Sequence, residues 1–154
     1  MMADRIGSTI AAHPWLVAES DGNVVGYAHA GKHGERPAYR WTTNVTVYVR
    51  AERRRNGTGR ALYGVLLETL RRQNFRSAFA EMVLPNAGSV RLHEANGFEL
   101  IGVHRDIGCK LGSWRDIGYW SLRLSSDARP PDEWIPFAAL RKSMFPTDMS
   151  RQGD

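Results

Sequence analysis

Two glycines beside an arginine cluster are the residues of this chain whose types and spacing indicate chemistry most clearly. The segment is Arg54-Arg55-Asn56-Gly57-Thr58-Gly59. A glycine turn that leads into a helix presents unpaired backbone N–H groups and the positive end of the helix dipole, and such a turn suits a phosphate or pyrophosphate. The alternative is that Gly57 and Gly59 only make a tight strand-to-helix connection, because a short glycine motif is a weak signal.

The sequence on either side of this turn predicts the two elements that would position it. Residues 44–49 (NVTVYV) are β-branched or aromatic at nearly every position, which is typical of a buried strand. After the turn, residues at helical spacing predict an amphipathic helix that runs to about Gln73. These residues are Leu62, Val65, Leu66, Thr69 and Leu70. The turn has neither the third glycine of the dinucleotide fingerprint nor the Gly-Lys-Ser/Thr of the Walker loop, so both of those sites are excluded.

The remaining elements are predicted from apolar alternation, turn residues and helix-end signals. A short helix is expected over residues 1–12 and a polar loop over Lys32–Pro37. A second helix is expected from Pro85-Asn86 to Asn96-Gly97. A mostly irregular, proline-rich tail follows from Ser125, with Trp134–Phe137 docked on an apolar surface. The predicted strands are Trp15–Glu19, Val24–Ala30, Trp41–Val49, Arg76–Val83, Phe98–Arg105 and Gly118–Leu124, with a loop at Asp106–Ile117 between the last two.

Length and composition describe an ordinary globular domain. The chain has 154 residues, of which 42% are apolar and 24% charged, enough for one domain with a real core. No apolar run reaches membrane-spanning length, and the N-terminus has no signal-peptide pattern. The single cysteine, Cys109, rules out an internal disulfide and fits a reducing cytoplasm, where it is expected to be a structural thiol.

The basic residues concentrate around the proposed phosphate turn. The net charge is +5, and five arginines lie between Arg50 and Arg60. A solvated charge run is one interpretation of this cluster, and nucleic-acid binding is another. Because the arginines surround the glycine turn rather than coat a helix face, the pattern favours a small polyphosphate ligand such as a CoA nucleotide. No nucleic-acid, membrane or metal partner is predicted.

Several short motifs, spread over roughly residues 14 to 124, resemble those of the GNAT acyltransferases in their order and spacing. Some of these motifs are similar, more narrowly, to those of the phosphinothricin and methionine-sulfone acetyltransferase branch. The family pattern is Arg54-x-x-Gly57-x-Gly59 with Asn86-x-x-Ser89-Val90-x-Leu92-His93-x-x-x-Gly97-Phe98, and the narrower set adds Leu84-Pro85-Asn86 and Gly108-x-Lys110-x-Gly112-x-Trp114-x-Asp116-x-Gly118. The resemblance implies the acyl-CoA N-acyltransferase fold, an α/β (α+β) domain over residues 1–124 with a mixed, mostly antiparallel sheet flanked by helices. Residues 125–154 would be the tail.

The resemblance also implies an activity and a co-substrate. The protein would move acetyl from acetyl-CoA to the primary amine of a small amino acid or analogue, which attacks the thioester directly. Backbone groups of Val47, Tyr48 and Val49 would pair with the pantetheine arm, which Asn86 would also contact. Ala95 would lie at the thiol end. The pyrophosphate would be held by Arg55, Asn56, Gly57, Thr58, Gly59 and Arg60.

His93 is a candidate for proton transfer or acceptor positioning. It lies at helical spacing from Asn86, Ser89 and Val90, so the four residues share one helix face. Histidine exchanges protons near neutral pH. The alternative is a histidine that is only a satisfied structural or surface residue.

The chain departs from the related branch at two places. The central strand of that branch opens with a glutamate, which is believed to deprotonate the acceptor amine, and Asn44 stands here instead. A carboxamide cannot accept a proton at neutral pH. The family also begins with a further strand and helix before the segment that resembles Ile10 to Trp15. A shortened N-terminus would expose the strand Trp15–Glu19 as a sheet edge, which favours self-association such as a homodimer. A non-catalytic or weakly active acyl-CoA-binding remnant is therefore the alternative function.

Asn44→Glu is expected to raise kcat/KM. A positioned base contributes typically ~10²–10⁴-fold, and the gain should be largest below about pH 7.5, where the free α-amine is scarce. The measurement is a pH–rate profile of the native protein and Asn44→Glu, with Asn44→Gln as the uncharged control of the same length. Identical profiles for all three proteins would show either that residue 44 does not act near the amine or that another base already serves.

Overall fold

The computed structural model describes residues 11–127 and 132–145. Short 3-10 helices occupy Pro37–Tyr39 and Ala51–Arg53. The helix expected over residues 1–12 lies outside the described residues except for its last two. The strands are β1 (Trp15–Ser20), β2 (Asn23–Lys32), β3 (Thr42–Val49), β4 (Ser77–Leu84), β5 (Glu99–Lys110) and β6 (Ser113–Arg123), and the α-helices are α1 (Thr58–Arg72), α2 (Ala87–Ala95) and α3 (Phe137–Met144).

The six strands form one sheet in the order β1-β2-β3-β4-β6-β5. Four of the five neighbouring pairs are antiparallel, and β3 pairs with β4 in parallel. The predicted mixed, mostly antiparallel sheet is therefore confirmed. The parallel pair requires a crossover, which α1 supplies between β3 and β4.

Helix α1 forms the core with one face of the sheet. Its spacing buries the predicted residues Leu62, Leu66 and Leu70 together with Tyr63, against small strand residues such as Ala28. The helix is followed, after its C-cap, by Asn74 in the left-handed conformation (φ 67°). Asparagine is one of the residue types that adopt this conformation at helix ends. Burial of these apolar side chains stabilises the packing of α1 on the sheet, and this packing determines where the N-terminus of α1 lies.

The predicted loop at Asp106–Ile117 is wrong, because β5 and β6 continue there as a hairpin. Cross-strand partners such as Cys109 and Trp114 lead to a tight turn at Leu111-Gly112, where both residues have positive φ. A register shift follows His104, and the Asp106 N–H donates to Asp116 Oδ1 at 2.9 Å. This arm carries no apolar alternation because most of its side chains are exposed on both faces. Backbone pairing rather than core burial therefore makes it a strand.

The tail is also more regular than predicted. Helix α3 begins after Pro136 and buries Phe137, because a proline that breaks a helix interior is tolerated at a helix start. Trp134 docks as expected, with its ring 5.8 Å from that of Phe75. The Gln73 side-chain amide donates to the carbonyls of Ala12 and Ile135, which ties the tail to the end of α1.

Gly118→Ala should destabilise the protein by about 1–3 kcal/mol, because overpacking a filled core displaces side chains. A Cβ at Gly118 would lie 2.4 Å from Trp120 Cζ3 and 3.1 Å from Leu84 Cδ1. The Trp120 ring is buried, and its Nε1–H donates to Glu94 Oε1 at 3.3 Å, so it has little room to shift.

The control is Gly102→Ala on β5, where an added Cβ would meet no atom of the described residues within 4 Å. It should change stability by less than about 0.5 kcal/mol. Urea unfolding of both variants provides the comparison, and equal midpoints would contradict the packing at Gly118.

Candidate functional site

The strands β3 and β4 separate soon after they meet. Within the described residues they pair at three positions, the last of which is Asn44↔Phe79. Beyond it, β3 stays paired with β2 as far as Val49↔Gly26, and β4 stays paired with β6 as far as Leu84↔Asp116. The two halves of the sheet therefore open a slot between β3 and β4.

The slot exposes backbone hydrogen-bonding groups of β3. Arg50, which follows the strand, donates its N–H to Val25 on the β2 side at 2.9 Å. Because backbone groups alternate in direction along a strand, Val47 and Val49 direct their N–H and C=O groups away from β2 and into the slot. Tyr48 directs its own backbone groups towards its partner Tyr27. The Val49 carbonyl accepts from Arg54 Nε at 3.4 Å, and a ligand that carries amides can extend the ladder along the other groups.

The N-terminus of α1 opens beside this slot. Gly57 is the N-cap with φ 88°, a left-handed conformation that glycine adopts at little cost. Asn56 Oδ1 accepts from the Thr58 N–H at 3.2 Å and from the Thr58 hydroxyl at 2.7 Å. By helix geometry, the N–H groups of Gly59 and Arg60 have no acceptor within the helix. The first turn contains no acidic side chain, so no carboxylate of that turn neutralises the positive end of the α1 dipole.

A cavity of about 940 Å³ joins the slot to this helix end; we call it the slot cavity. It contains the free edge of β3, the arginine segment and the first turns of α1 and α2. Its lining residues are Val47, Tyr48, Val49, Arg53, Arg54, Arg55, Gly57, Gly59, Arg60, Asn86, Gly88, Ser89, Arg91 and Leu92.

The charge of the slot cavity is strongly positive. Arg53 pairs weakly with Asp21, at 3.5 Å and largely exposed to solvent. No carboxylate of the described residues lies within ion-pair distance of Arg54, Arg55, Arg60 or Arg91. Guanidinium groups without a carboxylate partner and open helix N–H groups together suit a polyphosphate.

Most of the predicted cofactor-binding residues meet in the slot cavity. The exceptions are Asn56 and Thr58, which line a neighbouring cavity, and Ala95, which is exposed at the end of α2. The lining residues that sequence reasoning did not assign are Arg53, Arg54, Gly88, Ser89, Arg91 and Leu92. The arginine cluster signalled the first two, but the α2 residues come close only because α2 packs against the start of α1, with Leu92 near Gly59.

A second cavity, of about 670 Å³, lies on the other side of the α1 start; we call it the β1 cavity. It is lined by β1, by the first turns of α1 and by three residues of the α3 segment, Phe137, Arg141 and Phe145. Its walls are mostly apolar side chains.

Asn44 occupies the point where β3 and β4 separate. Its Oδ1 lies 2.6 Å from His33 Nδ1, and because that oxygen only accepts, the ring nitrogen carries the proton and donates it. His33 lies in the predicted polar loop, and no spacing in the sequence links it to Asn44. Asn44 is thus the acceptor for a histidine rather than an isolated amide.

His93 is placed in the core rather than in the slot cavity. It is 4% exposed and packs edge-on against Tyr63 and Phe98. Its Nδ1–H donates to the Ser89 carbonyl at 2.7 Å, and its Nε2 accepts from the Tyr63 hydroxyl at 2.6 Å. Burial lowers the pKa of His93, and the bond to Ser89 opposes this shift. Both ring nitrogens are engaged, so the geometry favours the structural alternative over proton transfer.

The comparisons with known proteins agree with this arrangement. The model of the Acetyltransferase (GNAT) domain matches residues 2–118. A phosphinothricin N-acetyltransferase of Streptomyces viridochromogenes is 46% identical over 118 residues, which are 77% of this chain and 64% of that protein. An L-methionine sulfoximine/L-methionine sulfone acetyltransferase of Salmonella typhimurium is 33% identical over 79% of this chain and 71% of its own.

A solved structure is similar as well. A GNAT superfamily phosphinothricin acetyltransferase from Sinorhizobium meliloti, in complex with acetyl-CoA, superposes with a TM-score of 0.82 and 32% identity, over 88% of this chain and 76% of its own. The fold is an α/β domain whose mixed sheet opens between β3 and β4 over an arginine-lined cavity. The chain belongs to the GNAT acetyltransferase family. It spans slightly less than two thirds of the Streptomyces viridochromogenes protein. Within the described residues, no helix is both long and apolar enough to cross a membrane.

The free energy of unfolding should fall as the pH drops below about 6.5, the ordinary pKa of histidine. The folded pKa of His93 is depressed, so in this range the unfolded chain binds a proton that the folded chain does not. Stability is thus complete above pH ~6.5 and declines as the pH falls towards the folded pKa.

His93→Gln should lower stability but flatten this dependence. Part of the slope should remain, because burial also lowers the pKa of His13. Tyr63→Phe removes the hydroxyl donor and is the control that keeps the ring. Urea unfolding between about pH 5 and 8 measures the slopes. If the dependence of unfolding free energy on pH is unchanged in His93→Gln but turnover is lost, His93 is again a catalytic candidate.

Proposed function

We propose that this protein transfers acetyl from acetyl-CoA to the primary amine of a small amino acid or amino-acid analogue. The observation that carries the proposal is the slot cavity, in which the free edge of β3 adjoins the open N-terminus of α1 within an arginine cluster. Acetyl-CoA has the matching parts, a pyrophosphate joined to a pantetheine arm with two amides and a thioester.

Each part of acetyl-CoA has a counterpart in the cavity. The pyrophosphate takes the N–H groups of Gly59 and Arg60 and the guanidinium groups of Arg54 and Arg55. The pantetheine amides pair with Val47 and Val49 in the manner of an added strand. The arm then runs towards Asn44, where the two strands rejoin and the thioester meets the amine.

The reaction is a direct transfer. The neutral amine attacks the thioester carbonyl, the C–N bond forms, the C–S bond breaks and the CoA thiol leaves. Holding the thioester along a strand edge supplies orientation, and backbone N–H groups near the carbonyl stabilise the developing oxyanion. No covalent intermediate on the protein is needed.

The amino-acid acceptor is proposed from the related proteins. The names of two relatives specify phosphinothricin and methionine sulfoximine or sulfone, which are α-amino acids with tetrahedral polar side-chain ends. A cytoplasmic location is proposed because the chain has one cysteine, and a homodimer because β1 and β5 are edge strands of the described sheet. The second candidate is a non-catalytic acyl-CoA-binding protein, and Asn44, an amide in place of the related carboxylate, favours it.

The decisive assay mixes the protein with acetyl-CoA and a panel of amino acids, including phosphinothricin and methionine sulfone. Free CoA is followed with a thiol reagent, and the acetylated product is identified by its mass. Product formation that is proportional to enzyme supports the proposed transfer. Acetyl-CoA binding without any product supports the non-catalytic candidate.

Gly59→Val should weaken acetyl-CoA binding at least tenfold. A Cβ at Gly59 already lies 3.1 Å from Leu92 Cδ2 and 3.5 Å from Val49 Cγ2, so a larger side chain fills the space that the pyrophosphate needs. The matched control is Gly64→Val on the same helix, where an added Cβ meets nothing within 4 Å among the described residues. Calorimetric titration gives both dissociation constants. Equal affinities for the two folded variants would exclude the α1 N-terminus as the phosphate site.

A further inference from the structure

His33 lies directly beside the point where β3 and β4 separate. It follows the last residue of β2, and its Nδ1–H donates to Asn44 Oδ1 at 2.6 Å. Its ring stands edge-on to that of Phe79 with centroids 4.7 Å apart. Asn44 and Phe79 are the last paired residues of β3 and β4. The imidazole therefore contacts both strands where the slot begins.

The surrounding loop holds the His33 ring in this orientation. The Tyr39 ring meets it edge-on at 6.1 Å. Tyr39 can approach because Gly34 has no side chain; a Cβ there would lie 2.8 Å from Tyr39 Cδ2. Lys32 and Glu35, which flank His33 along the chain, pair with each other at 2.6 Å. They leave Asn44 as the polar partner of the imidazole.

The bond to Asn44 fixes which ring nitrogen can accept a proton. Since Nδ1 carries the hydrogen, Nε2 of neutral His33 has a free lone pair. No donor among the described residues bonds to that nitrogen. His33 is half-buried, so part of its side chain remains open to solvent. His93 is the opposite case, because both of its ring nitrogens are occupied.

We infer that His33 is the proton acceptor for the amine substrate and that Asn44 positions it by accepting its Nδ1–H. This inference rests on the proposed acetyl transfer and adds to it the group that activates the amine. It also gives Asn44 a task that a carboxamide can perform. A neutral amide orients the imidazole, and the imidazole supplies the basic nitrogen that the amide lacks.

The protons balance without a further reactant. The ammonium form of the substrate gives one proton to His33 Nε2 and becomes the neutral amine. The amine nitrogen attacks the thioester carbon, and the carbonyl π electrons move to oxygen. When the tetrahedral intermediate collapses, the C–S bond breaks and the thiolate takes the second proton from the nitrogen. His33 then releases its proton to solvent, so that amide, CoA thiol and one proton are formed.

The test replaces His33 with Ala and with Gln in the full chain. Turnover of the best amine in the panel is measured with and without added imidazole, and acetyl-CoA affinity is measured by calorimetry. The control is His104→Ala on the exposed part of β5. Thermal unfolding identifies a variant that has lost its fold, and the conservative Gln variant keeps the test open if Ala unfolds the loop.

We expect both His33 variants to lose about 10²-fold or more in kcat, the usual contribution of a positioned base. Acetyl-CoA affinity should stay within about twofold, and imidazole should restore part of the turnover of His33→Ala but not raise that of the native protein. Asn44→Leu should lower kcat by roughly tenfold, since it leaves His33 without its orienting acceptor.

Two results overturn the inference in different ways. If the native protein acetylates amines and the folded His33 variants do so at an unchanged rate, His33 is not the proton acceptor and the proposed function stands. If kcat falls but imidazole restores none of it and acetyl-CoA affinity falls equally, His33 only supports the loop. If the native protein acetylates no amine, the proposed function fails and the inference fails with it.

Discussion

The separation of β3 from β4 is the constraint on which the rest of the site depends. Each strand keeps its outer partner along its length, so the sheet stays intact while its middle opens after Asn44↔Phe79. The opening leaves the inward backbone groups of Val47 and Val49 without strand partners among the described residues. A ligand with complementary amides can pair with these groups in the manner of an added strand. The first turns of α1 and α2 both line the cavity at this opening.

Charge and backbone direction make different contributions to ligand binding in the slot cavity. The arginines and the α1 N-terminus attract an anion but say little about which one, whereas the free β3 edge selects a ligand with an extended amide arm. In the proposed reaction, the chemistry takes place at the closed end of the slot, where Asn44 bonds to His33. Co-substrate binding and proton transfer would then use different residues, so an amide at position 44 would leave the proposed acetyl-CoA contacts intact.

The sequence predicted those parts of the fold and site that local patterns determine. The glycine turn, the spacing of Leu62, Leu66 and Leu70, and the alternation in β3 each depend on neighbours along the chain. The β5–β6 arm was missed because exposed pairing leaves no apolar signal, and α3 was missed because it lies in a proline-rich segment. His33 and His93 show the other limit. Their hydrogen-bond partners lie 11 and 30 residues away, and helical spacing alone does not reveal such contacts.

Acetyl-CoA is proposed to lie along the free edge of β3, and NMR chemical shifts of the backbone amides during an acetyl-CoA titration would locate it. The predicted result is that Val47, Val49, Gly59 and Arg60 show the largest changes, and that Tyr48, whose N–H faces β2, changes less. Saturable chemical-shift changes confined to residues of the β1 cavity, with Val47 and Val49 unchanged, would exclude this placement of acetyl-CoA.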